Sequence, residues 1–190
     1  SHSEMRTLLT YSPSEGFPEL RRQIALRTVG VLEGIAPEDI IITNGCMEAV
    51  ALSLLAVTQP GDTVAIEAPT NFSFLQLLKE LGLLVVEIAT DPQDGIDIEE
   101  LEKSLRKSTI RACLFMPNFH NPLGALMSEG KKQALMDLLS EHGVPVIEDE
   151  LRVRCLRIPV EHGSLLRIPR PGLFHRNYSV PVARIDQDHV

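Results

Sequence analysis

Tryptophan is absent, tyrosine occurs only twice, and no lysine follows Lys132 although the chain runs on to Val190. The five lysines are Lys79, Lys103, Lys107, Lys131 and Lys132, so any chemistry that needs a lysine beyond Lys132 lacks one. Cysteine is nearly as scarce. Cys46, Cys113 and Cys155 make an odd number without framework spacing, which fits reduced thiols in a cytoplasmic protein better than disulfides. There is no CxxC pair, and the histidines show no metal-ligand spacing, which argues against a zinc site. No apolar run reaches the roughly 18–20 residues needed to cross a bilayer, and no signal-peptide pattern opens the chain. A net charge of −8 argues against a nucleic-acid-binding surface on this segment as a whole.

That average hides a break. Residues 1–151 carry 11 Lys and Arg against 23 Asp and Glu, whereas residues 152–190 carry seven arginines and three acids. Four prolines (Pro159, Pro169, Pro171 and Pro181) interrupt any long element in this last segment. Only Leu165–Ile168 and Val180–Ile185 read there as short strands. Such a shift without a linker-like stretch is unusual within one domain.

Before that break the chain alternates. Leu20, Ile24, Ala25 and Val29 recur at helical spacing between Phe17 and about Val31, with Ser14 or Gly16 as a start. Glu38–Thr43 reads as a strand, and Asn44-Gly45 turns into a helix carrying Met47, Val50, Ala51, Leu54 and Leu55. Pro60-Gly61-Asp62 is a tight turn before a strand over Thr63–Glu67. A helix from Phe72 to Leu81 closes at Gly82, and Leu84–Ile88 is the next strand. Asp97 and Glu100 form a capping-box pattern ahead of Ile98, Leu101 and Leu105. Ala112–Met116 is a strand, Ser128 caps a helix ended by Gly143, and Val144–Ile147 is a further strand. Strands alternating with helices of this length imply a largely parallel α/β sheet.

Two strand ends then stand out: Pro117-Asn118-Phe119-His120-Asn121-Pro122-Leu123-Gly124, and Val146-Ile147-Glu148-Asp149-Glu150. Asn121 and Asp149 lie 28 positions apart. That gap suits one strand–helix–strand unit of roughly 30 residues, with parallel strands ending on the same edge. Ligands sit at that edge in open α/β sheets. An amide and a carboxylate there could grip a polar aromatic ring from two sides. Asn121-Pro122 also reads as a simple turn, and Asp149 as a solvated strand end. A buried Asp149 would need a cationic partner, for which a protonated ring nitrogen is one candidate. Asn44-Gly45-Cys46-Met47 presents free backbone N–H groups at a helix start, suited to an anion such as phosphate, or is an ordinary glycine turn. Cys46 reads as a small buried cysteine rather than a nucleophile. His120 reads as structural or solvent-facing.

Taken together and in order, Tyr11…Gly16…Glu19-Leu20-Arg21, Ile42-Thr43-Asn44-Gly45, Pro60-Gly61-Asp62, Glu67-Ala68-Pro69-Thr70, Asp94-Gly95-Ile96-Asp97, Asn121-Pro122…Gly124 and Glu148-Asp149 resemble the fold-type I pyridoxal-phosphate enzymes of aminotransferase class I/II. Within that group the chain most resembles the aminotransferase-like module of MocR regulators in the GntR family. The resemblance covers about residues 8–151. It implies an incomplete pyridoxal-phosphate-dependent transferase-like large domain, three-layered around a mainly parallel sheet, over residues 1–151. It also implies binding of pyridoxal 5'-phosphate, with the backbone N–H groups of Gly45, Cys46 and Met47 on the phosphate. Tyr11 would reach a phosphate across a homodimer interface, Asn121 would bond the ring hydroxyl oxygen, and Asp149 would pair with the pyridine nitrogen.

The departures from the family are specific. Asn71 stands where many relatives stack an aromatic residue on the ring, with Phe72 as the adjacent substitute, and Arg152 stands where relatives carry a Tyr. The Ser-x-x-Lys segment that supplies the Schiff-base lysine has no counterpart, so no catalytic residue is assigned and cofactor binding is expected to be non-covalent at best. Residues 152–190 are expected to be a divergent or frameshifted tail. Two functions remain open. One is an effector-sensing domain that binds a small amino compound and meets DNA only through a winged-helix domain outside this chain. The other is a fragment of a free-standing aminotransferase acting on amino acids and 2-oxo acids.

Overall fold

The computed structural model describes residue 11, residues 13–28 and residues 36–149. Val29, Val31, Arg152 and the two short strands expected after Leu165 lie outside the described residues.

Five strands form one sheet: β1 Thr63–Ala68, β2 Leu84–Asp91, β3 Gly95–Ile96, β4 Ile110–Phe115 and β5 Val146–Glu148. Their order is β3-β2-β1-β4-β5. All pairs are parallel except the β2–β3 hairpin, where Asp91 faces Gly95. The helices are α1 Pro18–Thr28, α2 Cys46–Val57, α3 Phe72–Glu80, α4 Ile98–Lys107 and α5 Glu129–His142. The parallel α/β architecture read from the sequence is therefore present.

Side chains on a strand alternate between faces, and the central strands sort their residues accordingly. Val64 and Ile66 of β1, with Ala112 and Leu114 of β4, pack against Val50 and Leu54 of α2 and Phe74 and Leu78 of α3. Ala65, Cys113 and Phe115 point the other way, onto Leu101 of α4 and Leu135 and Leu139 of α5. Helices thus cover both faces, giving three layers. Strand β1 is buried on both sides, which explains why it reads as a nearly continuous apolar run rather than an alternating one. Truncating a residue such as Leu54, with no exposed surface, costs about 2–5 kcal/mol by leaving a cavity.

Three local expectations are corrected. Glu38–Thr43 is not a strand. Pro37–Asp39 makes a 3-10 turn, because Pro37 stands at its first position and the Asp39 carboxylate accepts from the Ala36 N–H at 3.0 Å. Residues 40–43 belong to no strand, and the Ile42 N–H bonds the Glu15 carbonyl at 3.0 Å. The first helix starts at Pro18 rather than Ser14 or Gly16, with the Arg21 N–H bonding the Phe17 carbonyl. Leu20 on it is exposed, and Ile24 and Ala25 pack with Ile40. The capping box at Asp97 is only half made. Its carboxylate accepts from the Glu100 N–H at 2.9 Å, but the Glu100 carboxylate accepts from the Ala89 N–H of β2 at 2.7 Å instead of turning back to Asp97. The other helix starts match the sequence: Asn71 and Ser128 accept from the N–H groups of Ser73 and Lys131.

Candidate functional site

Because β1, β4 and β5 run parallel, their C-terminal ends open on one edge of the sheet. Asp149 is the residue after β5, held there by its N–H donating to the Phe115 carbonyl at 2.9 Å. The chain leaving β4 folds into a loop bonded to itself. The Met127 N–H bonds the Pro117 carbonyl at 3.0 Å, the His120 N–H bonds the Ala125 carbonyl at 3.0 Å, and the Gly124 N–H bonds the His120 carbonyl at 2.6 Å. Asn121 sits inside this loop, before a cis proline bond to Pro122; Ala68-Pro69 at the end of β1 is also cis.

Helix α2 begins at the same edge. Gly45 precedes it with φ of 101°, in the region that favours glycine. The first N–H groups of a helix have no intrahelical acceptor, and the helix dipole adds partial positive charge at that end. An acid already stands nearby: the exposed Glu48 carboxylate accepts from the Asn44 N–H.

These pieces enclose a cavity of about 390 Å³, within the usual range of small-ligand sites. Asn44, Gly45, Cys46 and Met47 line it from the start of α2, and Asn71 and Phe74 from the start of α3. Met116, Asn118, Phe119 and Asn121 line it from the segment after β4, and Asp149 closes it from the end of β5. The structure therefore brings together six residues singled out in the sequence: Gly45, Cys46, Met47, Asn71, Asn121 and Asp149. Tyr11 is fully exposed and does not line the cavity of its own chain. Phe72, the adjacent substitute for a stacking aromatic, is 74% exposed and does not line the cavity. The aromatic residues on the wall are Phe74 and Phe119.

Cys46 is half-buried rather than buried, and its thiol donates to Oδ1 of Asp149 across 3.3 Å. Burial first, then the Asp149 charge and that bond, push the thiol pKa up to about 12. It remains a protonated donor at neutral pH and not a nucleophile.

Two residues were given no site role in the sequence. Glu67 and His120, each 1% exposed, meet in the interior outside the cavity lining, with Oε2 of Glu67 3.5 Å from Nε2 of His120. The solvent-facing reading of His120 is thereby excluded. The signal for Glu67 was an acid inside the apolar run of β1, a position that an ordinary strand end does not explain. Among the described residues no three His, Cys, Asp or Glu gather where they could hold a metal ion. Nor, among the described residues, is any helix long and apolar enough to cross a membrane.

Comparison with known proteins places these features in a family. Residues 1–151 match the family model of aminotransferase class I and II. The chain is 36% identical over 172 residues to the HTH-type transcriptional regulator YjiR of Escherichia coli, covering 90% of this chain and 34% of that protein. It is 44% identical over 138 residues to the HTH-type transcriptional regulator YdcR of the same organism, covering 72% of this chain and 29% of that protein. The chain thus spans about a third of the length of these curated relatives. Among solved structures it is similar to LysN, the alpha-aminoadipate aminotransferase of Thermus thermophilus complexed with N-(5'-phosphopyridoxyl)-L-leucine. The TM-score is 0.68 and the identity 30%, over 75% of this chain and 35% of that one.

Proposed function

Because the chain belongs to the aminotransferase class I and II family, we propose that its cavity binds pyridoxal 5'-phosphate as part of an effector domain of a transcriptional regulator. The observation that carries this reading is the meeting of Asp149, Asn121 and the start of α2 around one cavity. The donor set suits the group. The N–H groups of Gly45, Cys46 and Met47 would hold its phosphate, aided by the helix dipole. The Asn121 amide would donate to the ring hydroxyl oxygen, and the Asp149 carboxylate would accept from the ring N–H and keep it protonated. Asn71 would stand at the rim. Tyr11, exposed in its own chain, would serve the phosphate site of a second copy in a homodimer. When bound, pyridoxal phosphate supplies an electron sink for carbanion chemistry.

Binding is non-covalent in this reading. All five lysines lie among the described residues, and none lines the cavity. Lys131 pairs with Asp94, Lys132 with Glu129 and Lys103 with Glu99, along the helices that cover the opposite face of the sheet. Residues 1–151 would form part of the large domain, sensing a small amino compound, with DNA contact left to a winged-helix domain of a longer protein. The family model ends where the arginine-rich segment begins, whereas a match of 172 residues to YjiR enters that segment. Translating the coding DNA after codon 151 in the other two frames separates an out-of-frame tail from native divergence. A Tyr soon after the Asp codon and a later Ser-x-x-Lys in another frame would mark the former.

The second reading is a piece of a free-standing aminotransferase, favoured by the likeness to LysN. An upstream winged-helix region in the same gene supports the regulator, and its absence the enzyme. Covalency is tested by mixing the purified chain with pyridoxal phosphate, reducing with borohydride and mapping modified peptides. We expect no single stoichiometric pyridoxyl-lysine; finding one overturns the non-covalent reading.

A further inference from the structure

The Glu67 carboxyl at the end of β1 is buried in a chain that gains nothing from packing an acid there. An apolar side chain would fill the same space without the desolvation penalty of a carboxyl. What the acid does provide is two contacts to the segment after β4. Its Oε2 accepts from the Met116 N–H at 2.6 Å and lies 3.5 Å from Nε2 of His120. The Leu123 N–H points to Nδ1 of His120 at 3.4 Å. With Nδ1 an acceptor, the imidazole proton is assigned to Nε2, the nitrogen that faces Glu67. Burial supports a protonated acid beside a neutral imidazole: it raises the Glu67 pKa to about 7 and lowers that of His120.

The backbone bonds of the loop over residues 117–127 are internal, from the loop to itself. They give the loop its shape without fixing it to β1. Glu67 bonds the start of the segment, at Met116, and packs within 3.5 Å of His120, the residue directly before Asn121. We infer that Glu67 and His120 form a buried positioning pair that sets where Asn121 presents its amide to the cavity. Neither side chain lines the cavity, so the pair acts through Asn121 and not on a ligand. The inference deepens the proposed function, and only its binding arm rests on that reading.

The binding arm measures the equilibrium dissociation constant of pyridoxal 5'-phosphate for the full 190-residue chain and four variants. Glu67→Ala should weaken binding about tenfold, and Glu67→Gln, which keeps a carbonyl for the Met116 N–H, should recover most of that loss. Added to Asn121→Ala, Glu67→Ala should cost less than about twofold more, because a residue acting through Asn121 has nothing left to act on. A full tenfold loss on top of Asn121→Ala overturns the inference.

A second arm needs neither cofactor nor the Ala variants. In the labelled chain, the Asn121 side-chain amide resonance should move between about pH 5 and pH 8 as Glu67 titrates, and stay still in Glu67→Gln. Asp149 and Cys46, the titratable groups that line that cavity, persist in Glu67→Gln, so any movement they cause survives the substitution. An amide that stays put in the native chain, or moves equally in Glu67→Gln, overturns the pair. If the native chain takes up no pyridoxal phosphate, the ligand reading fails and this arm alone decides the inference.

Discussion

Sγ of Cys46 lies 3.3 Å from Oδ1 of Asp149, joining the first residue of α2 to the residue just past β5. The two are 103 positions apart in the chain, and the bond joins two residues of the cavity wall. It holds one oxygen of the carboxylate that would face a ring nitrogen, so the group is placed before any ligand arrives.

Burial first, and then the Asp149 charge and this bond, protect the thiol. With its pKa raised from 9.0 to about 12, Cys46 stays protonated in the folded chain and should resist alkylation near neutral pH. Iodoacetamide labelling followed by peptide mapping should leave the Cys46 peptide unmodified in the native chain and label it after denaturation. The raised pKa favours the protonated form in the fold, so its contribution to stability is complete below pH 9.0 and is lost as pH rises through about 12. Rapid labelling of native Cys46 contradicts this account.

Glu67 and His120 give stability pH dependences of opposite sign. The Glu67 pKa is raised from 4.5 to about 7, so its stabilising share is complete below pH 4.5 and fades as pH rises through about 7. The shift corresponds to a contribution on the order of 3 kcal/mol. The His120 pKa is lowered from 6.5 by burial, so its share is present above pH 6.5 and fades as pH falls through the folded value. Urea midpoints should include a fall on the alkaline side, as pH rises from 4.5 through about 7. In Glu67→Gln the alkaline fall should flatten, which the titration of surface groups would not produce.

The strand–helix alternation, both proline turns and three helix caps were legible in the sequence because each depends on neighbours within a few residues. Asn121 and Asp149 were legible for a related reason: a parallel sheet sends its strand ends to one edge, so position in a strand–helix–strand unit fixes position in space. Gly45, Cys46 and Met47 were legible as a helix start, and Asn71 only through the family resemblance. What the sequence hid depended on distant partners. Glu38–Thr43 has the composition of a strand, but Pro37 at the first position of a turn and the Asp39 carboxylate two residues on bend its start. Glu100 has the spacing of a capping-box acid, yet Ala89 of the adjacent strand offers an unpaired N–H and takes its carboxylate. The Glu67–His120 contact joins residues 53 positions apart, and nothing local to either announces it.

The hairpin between β2 and β3 turns on Gly95. Its φ is +78°, and a Cβ built there would lie 2.5 Å from Cγ of Met127. Gly95→Ala should destabilise the chain by about 1–3 kcal/mol, through backbone strain and the displaced Met127. Gly130→Ala, where a Cβ meets open space in α5, should instead gain about 0.4–1 kcal/mol. Chemical denaturation of both variants checks the contrast; equal effects would contradict it.

The central claim is that Asn121 and Asp149 hold two sides of one pyridoxal ring without a lysine to anchor it. Equilibrium binding of pyridoxal 5'-phosphate to the native chain, Asn121→Ala and Asp149→Ala, followed by absorbance, tests it most directly. The account predicts reversible, saturable binding that dialysis removes, weakened about tenfold or more in each variant, since each loses a hydrogen bond to a polar or charged group. Binding that is unaffected by both substitutions, or that survives dialysis as a covalent adduct at one lysine, would contradict it.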